Sequence, residues 1–172
     1  MASTGNGNGK PINPDAAAQT MPPPVQVKVV AQYIKDLSFE NPNIEKLLKE
    51  PGDQPNLQLS INVGAKAVGP QLYESAIDFN AQASNKLGEI YQLELVYAGL
   101  FRLENIPEPA LEPFLLVNCP SILFPFVRRI AADLTREGGF PPLLLDPFDF
   151  ATLYLRRQQD MRSQAEAESR KN

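Results

Sequence analysis

Few side chains in this 172-residue chain could do covalent or acid–base chemistry, and none has a partner at a useful spacing. There is one cysteine, Cys119, and no histidine. A Cys-His nucleophile pair is therefore impossible, as are an internal disulfide and a Cys-cluster zinc site. The absence of histidine also removes the commonest general base and metal ligand near neutral pH. Cys119 reads as a small buried apolar residue. Glu89 and Glu94 lie five apart on a predicted strand, so they point to opposite faces and cannot share a proton. Asp133 on a predicted helix is a lone carboxylate. The run Gly5-Asn6-Gly7-Asn8-Gly9 has no strand before it and no Lys-Ser/Thr pair after it, which excludes a phosphate loop. No metal or cofactor is expected, and enzyme activity is a poor reading.

Charge narrows the partners. The net charge is −4, but Asp36 to Glu112 holds 12 acids and 5 bases, whereas Pro113 to Asn172 holds 7 acids and 8 bases. No clustered basic face suits nucleic acid; the acidic middle favours a basic partner. The Met1 end lacks a charged region followed by an apolar core, so no secretory signal is expected, and the chain reads as soluble and cytoplasmic.

The chemistry that is present in excess is apolar. Phe114 to Ile130 is apolar on nearly every side, which demands cover on every side. Pro113, Pro120 and Pro125 interrupt it, and each lacks a backbone donor. A membrane span would want about 20 unbroken apolar residues. Arg128 and Arg129 also close the run, so a bilayer is rejected and a bent helix between two covering surfaces is expected. A sheet can supply one cover; a second subunit would supply the other.

The elements that must position this helix follow from periodicity. Residues 1–24 are low-complexity and proline-rich, a predicted disordered tail. Val25 to Tyr33 alternates at a period of two and continues, with a kink, to Glu40. Asn41-Pro42-Asn43 turns the chain, and Ile44, Leu47 and Leu48 fall at helical spacing before Pro51-Gly52 stops them. Leu57 to Ala65, Tyr73 to Ala81 and Tyr91 to Phe101 alternate in the same way, joined by short turns. The prediction is α+β: a four-stranded antiparallel sheet packed against a long broken helix that Gly138-Gly139 ends. Asp146 and Pro147 then predict the cap and first residue of a shorter C-terminal helix with Phe150, Leu153 and Tyr154 as its apolar stripe. From Arg156 the sequence is polar and is expected to fray, leaving one domain over 25–159 and a mobile tail over 160–172.

Two readings of the remaining apolar residues stay open. Ile44, Leu47 and Leu48, the C-terminal helix with Leu153 and Tyr154, and the strand face Tyr91, Leu93 and Leu95 could line a groove for extended polypeptide. They could equally be core.

The motifs then become specific. Tyr33 to Pro42 (YIKDLSFENP), Leu93 to Phe101, Asn118 to Phe126 (NCPSILFPF), Gly139 to Leu145 (GFPPLLL) and Asp146 to Phe150 (DPFDF) strongly resemble the SecB family of protein-export chaperones. The likeness runs in order from Val25 to Gln159. It implies an ATP-independent chaperone that holds non-native precursor proteins in a translocation-competent state. It implies delivery to the translocation ATPase SecA, whose basic tail docks on an acidic sheet surface mapping to Asp36, Glu40 and Glu94. It also implies a homotetramer, a dimer of dimers, whose contact is assigned to Leu123, Phe126, Val127 and Ile130. This chain departs from the family pattern at Gln92, where an apolar residue is usual, and at Ile44, Leu47 and Leu48, where aromatic residues are usual. The alternatives are a SecB-like chaperone dedicated to one client, such as an antitoxin, and a small-ligand carrier.

Overall fold

Alternating apolar and polar residues dictate four long strands, and the computed structural model, which describes residues 23–50 and 52–169, shows them in one antiparallel sheet. The strands are β1 (Gln26–Glu40), β2 (Asn56–Gly69), β3 (Leu72–Asn85) and β4 (Gly88–Glu104), in the order β1-β4-β3-β2. The kink expected after Tyr33 falls at a register shift between Ile34 and Asp36, and a second shift, between Val29 and Ala31, interrupts the alternation expected over Val25 to Tyr33. Each adds a residue to one strand and bends it. A short helix, α1 (Ile44–Lys49), precedes β2. The tail expected over 1–24 lies outside the described residues except for Pro23 and Pro24, and so does Pro51.

One face of the sheet is apolar, as the period of two requires. Ile77, Phe79, Leu93, Leu95, Phe101 and Leu103 are fully buried there. They are covered by one long helical run made of α2 (Glu108–Pro113), a π-helical turn (Phe114–Asn118) and α3 (Cys119–Glu137). The run Glu108–Glu137 is long enough to cross a membrane, and an 18-residue window within it is apolar enough, with mean hydropathy 1.6. Its stripe of Leu123, Val127, Ile130 and Ala131 is instead buried against the sheet. It is the core helix, as the sequence argued.

The π-turn has an identifiable cause. Pro120 has no N–H, and the Cys119 N–H is committed to the Phe114 carbonyl, so the Leu115 carbonyl has no helical donor. Ser75 on β3 supplies one: its buried hydroxyl donates to Leu115 O at 3.0 Å. Ser75 pairs with Gly99 on β4. A Cβ at Gly99 would stand 2.8 Å from both Leu123 and the Phe101 ring. Two small residues side by side thus let the broken helix approach the sheet where its own hydrogen bonding fails.

The C-terminal helix departs from the prediction at both ends. Helix α4 spans Phe150–Ser169. Asp149, not Asp146, holds its first turn, accepting the Thr152 N–H at 3.0 Å and the Thr152 hydroxyl at 2.7 Å. These bonds keep the Asp149 carboxyl below its usual pKa. The Phe148 and Phe150 rings pack on each other and on Phe124, so Pro147-Phe148 stays extended to reach the core. No break falls at residue 160, because Ala, Gln, Glu and Arg are good helix formers and polarity alone does not unwind a helix. Arg157 on α4 donates to the Val63 carbonyl at 3.0 Å and caps part of the open β2 edge.

The other face of the sheet carries a buried ion. Glu74 on β3 is 8% exposed, and accepts from the Tyr33 hydroxyl at 2.6 Å and from Lys35 at 2.7 Å, with Lys66 at 3.4 Å. The group ties β1 to β3 and β2 across β4. Hydrogen bonds from Lys35 and Tyr33 hold the Glu74 carboxyl at a pKa of about 2, against an ordinary 4.5. A depressed folded-state pKa stabilises the fold above the unfolded value and loses that contribution as pH falls through the folded one. Glu74→Gln is expected to cost about 1–2 kcal/mol at pH 7. Urea titrations should show the gap to wild type closing between pH 4.5 and about 2; a gap independent of pH would contradict the assignment.

Candidate functional site

At the end of the sheet where β1 finishes and β4 begins, the core helix stops and the apolar face stays partly open. Gly138 and Gly139 end α3 by a Schellman motif: Gly139 N–H bonds Arg136 O at 3.0 Å, and Phe140 N–H bonds Thr135 O at 3.0 Å. The chain beyond runs extended, anchored by Leu143 N–H to the buried Thr135 hydroxyl at 2.8 Å. Across the gap, Asn43 fixes the start of α1 by donating from Nδ2 to the Glu89 carbonyl at 2.8 Å.

Between α1 and this extended segment lies a trough of about 370 Å³. Ile44, Leu47 and Leu48 line one wall, Pro55 and Leu57 the β2 side, and Ala83, Ile90, Tyr91, Phe140 and Pro141 the rest. Asp53 is the one charged lining residue among those described, and Lys86 pairs with it at 2.7 Å. The floor is aromatic: Tyr91 tilts against Phe140 at 5.3 Å, and Phe39 stacks on Tyr91 from beneath at 5.8 Å. Burial raises the Tyr91 pKa, so its phenol stays neutral. Leu48 is 76% exposed, which leaves α1 as an open rim and not a closed lid.

The structure divides the residues expected in a groove. Ile44, Leu47, Leu48 and Tyr91 come together in the trough. Leu93 and Leu95 do not: they are sealed between the sheet and α3, because the strand face they share with Tyr91 runs under the helix. Leu153 and Tyr154 lie elsewhere, beside Asn62, Val63 and Leu116 where α4 crosses β2. Phe39, Leu57 and Phe140 were missed; Phe39 and Leu57 sit on predicted strands, and only the turn after α3 brings Phe140 back to them.

The residues assigned to a subunit contact divide similarly. Leu123, Val127 and Ile130 form the inward stripe of α3 and are buried within one chain. Helical spacing of three and four puts them on the sheet side. Phe126 is 37% exposed and stacks on Tyr97 at 5.8 Å, and Ile122 is equally exposed. More uncovered apolar surface lies on the edge strand: Val27, Val29, Val30, Ile34 and Leu37 of β1 are all exposed.

Asp36, Glu40 and Glu94 share the outer face. Ser38 pairs with Glu94, and Asp36 and Glu40 pair with Val96 and Gln92 on either side of it. Asp78, paired with the same Val96 from β3, extends the row. Glu89 joins through Gln82, whose amide donates to it at 3.0 Å; the register shift between Ala83 and Ser84 turns it to the face of Glu94, against the opposite faces expected from strict alternation. Gln92 donates to Glu94 at 2.8 Å and Asn80 to Asp78 at 2.8 Å. None of these five carboxylates has an ion-pair partner among the described residues. Gln92 thus serves the row by orienting Glu94.

Cys119 offers no chemistry in this setting. It is fully buried, and burial pushes its thiol up to about 12, so no thiolate forms near neutral pH.

One sheet thus carries an open apolar trough on one face and an acidic row on the other, and comparison with known proteins gives the family. The model of the family described as preprotein translocase subunit SecB matches residues 18–161. The protein-export protein SecB of Bradyrhizobium sp. is 48% identical over 163 residues, covering 95% of this chain and 94% of that protein. The protein-export protein SecB of Afipia carboxidovorans is 50% identical over 153 residues, covering 88% and 91%. A Mycobacterium tuberculosis SecB-like chaperone, solved in complex with an antitoxin peptide, shares the fold with a TM-score of 0.58, 16% identity, and coverage of 72% of this chain and 91% of that one. The chain belongs to the SecB family. It is a chaperone of protein export, and a dedicated-client chaperone or small-ligand carrier is not favoured.

Proposed function

We propose that the trough under α1 holds apolar segments of unfolded precursor proteins in the cytoplasm, without ATP, and that the acidic outer face presents the loaded chaperone to SecA. The observation that carries this reading is the trough itself, almost wholly apolar yet open to solvent. An extended client buries side chains there at about 25 cal/mol per Å² of apolar area. That attraction has no directional demand, so many sequences fit. A protein that folds quickly buries the same groups internally and escapes; a slow folder is retained by mass action.

The acidic row suits the basic tail that the family resemblance implies for SecA. It lies on the outer face of the sheet, while the aromatic floor of the trough lies on the inner face, so the two can be occupied together. Self-association follows from the uncovered apolar residues. A long edge strand with exposed apolar side chains is a template for pairing with another chain. We assign first pairing to β1 and further contact to the half-exposed Ile122 and Phe126 of α3, giving the homotetramer.

Two variants should dissociate the surfaces. Leu47→Glu is expected to weaken binding of a permanently unfolded precursor about tenfold, and to stop the chaperone delaying its refolding, while leaving binding to a basic SecA-tail peptide unchanged. Glu94→Lys should do the reverse, costing about tenfold for the tail peptide with client binding intact. Loss of both by either variant, or of neither, would refute the assignment. Light scattering on the full chain should give four times the 19.0 kDa chain mass; a stable monomer would refute the assembly.

A further inference from the structure

We propose that Gly138 is the positioning residue that sets the shape of the trough, by leaving room for the Phe39 ring under its aromatic floor. This rests on the reading of the trough as the client site and adds what fixes its selectivity. The backbone does not require glycine here. Gly139, with φ +88°, is the left-handed residue of the helix stop, whereas Gly138 has φ −71° and ψ −3°, which any residue adopts. The requirement is space. A Cβ at position 138 would stand 2.5 and 2.6 Å from two carbons of the Phe39 ring and 3.3 Å from the Leu134 carbonyl. Carbon atoms pack at about 3.5–4.0 Å, so the ring would have to retreat by about 1 Å.

That retreat cannot be local. Phe39 stacks on Tyr91, and Tyr91 packs on Phe140, so the two aromatic residues lining the trough follow the ring beneath them. The end of β1 is tied to the same turn by Asn41 Nδ2, which donates to Gly138 O at 3.4 Å. The absence of one side chain at the end of α3 thus keeps the floor low enough for bulky apolar groups of the client, and aromatic ones above all.

The test uses full-length protein, a reduced and carboxymethylated unfolded protein, and two extended peptides that differ only by Phe or Ala at one central position. Gly138→Ala is expected to weaken binding of the unfolded protein and of the Phe peptide about tenfold, and of the Ala peptide far less. Adding Phe39→Leu, which removes the opposing ring atoms, should restore most of the lost affinity. Phe39→Leu alone introduces no clash and should by itself change the preference for Phe over Ala. Unchanged peptide preference in both single variants, with Leu47→Glu still losing client, would overturn the role of Gly138 while leaving the trough reading in place. No effect of Leu47→Glu either would remove the trough reading. Restoration of melting temperature but not of affinity by Phe39→Leu would reduce Gly138 to a structural role and overturn the proposal.

Discussion

The close approach of a proline-broken helix to the sheet is the contact on which the rest depends. Leu123 rests on Gly99, and the Leu115 carbonyl, stranded by Pro120, is taken up by Ser75 beside it. Glycine and serine are poor choices for a strand on propensity alone. Here they remove bulk where a helix must lie close and replace a hydrogen bond the helix cannot make. Everything inward of that contact, from Ile77 and Phe79 to Val127, is sealed; each such large side chain contributes about 1.5–3 kcal/mol. What the helix does not reach is left for binding.

The division of labour follows from where the helix ends. α3 stops at Glu137, and the apolar residues at the end of β1, the end of β3 and the start of β4 are covered by α1 and the turn after α3 instead. Ala83, Ile90 and Tyr91 form a second small core there, against which Phe39, Leu47 and Phe140 pack half-buried. A core that needs a six-residue helix and an extended loop for cover is one a foreign chain can join. On the opposite face, the carboxylates, three of them held by amide side chains, have no ion-pair partner among the described residues and keep their charge available to a basic partner. The same strands carry both surfaces because successive residues point to opposite faces.

Much of this was legible in the sequence. Alternation over Leu57–Ala65, Tyr73–Ala81 and Tyr91–Phe101 carried the sheet, and the run from Phe114 to Ile130 carried the core helix. Ile44, Leu47 and Leu48 on a short connection and Tyr91 on a strand face were read as either groove or core, and the structure brings all four to the trough. The misses share a cause. Periodicity tells which face a residue is on, but not how far along that face the helix reaches, so Leu93 and Leu95 were grouped with Tyr91. Helical spacing likewise gave the stripe of Leu123, Val127 and Ile130 without saying which side the sheet would take. The start of α4 was misplaced because Asp146-Pro147 and Asp149 both satisfy a capping pattern; the aromatic packing of Phe148 and Phe150 on Phe124 decides between them. The exposed apolar side of β1 was invisible because an edge strand and a central strand alternate alike.

The central claim is that non-native chains are held by burial of apolar surface in a pre-existing trough. Calorimetric titration of a permanently unfolded precursor into the full-length protein, repeated over a range of temperatures without nucleotide, tests it most directly. A large negative heat-capacity change, with affinity little altered by salt, is the expected result. Binding with no heat-capacity change and an affinity that collapses as salt is raised would show that charge, and not the trough, holds the client.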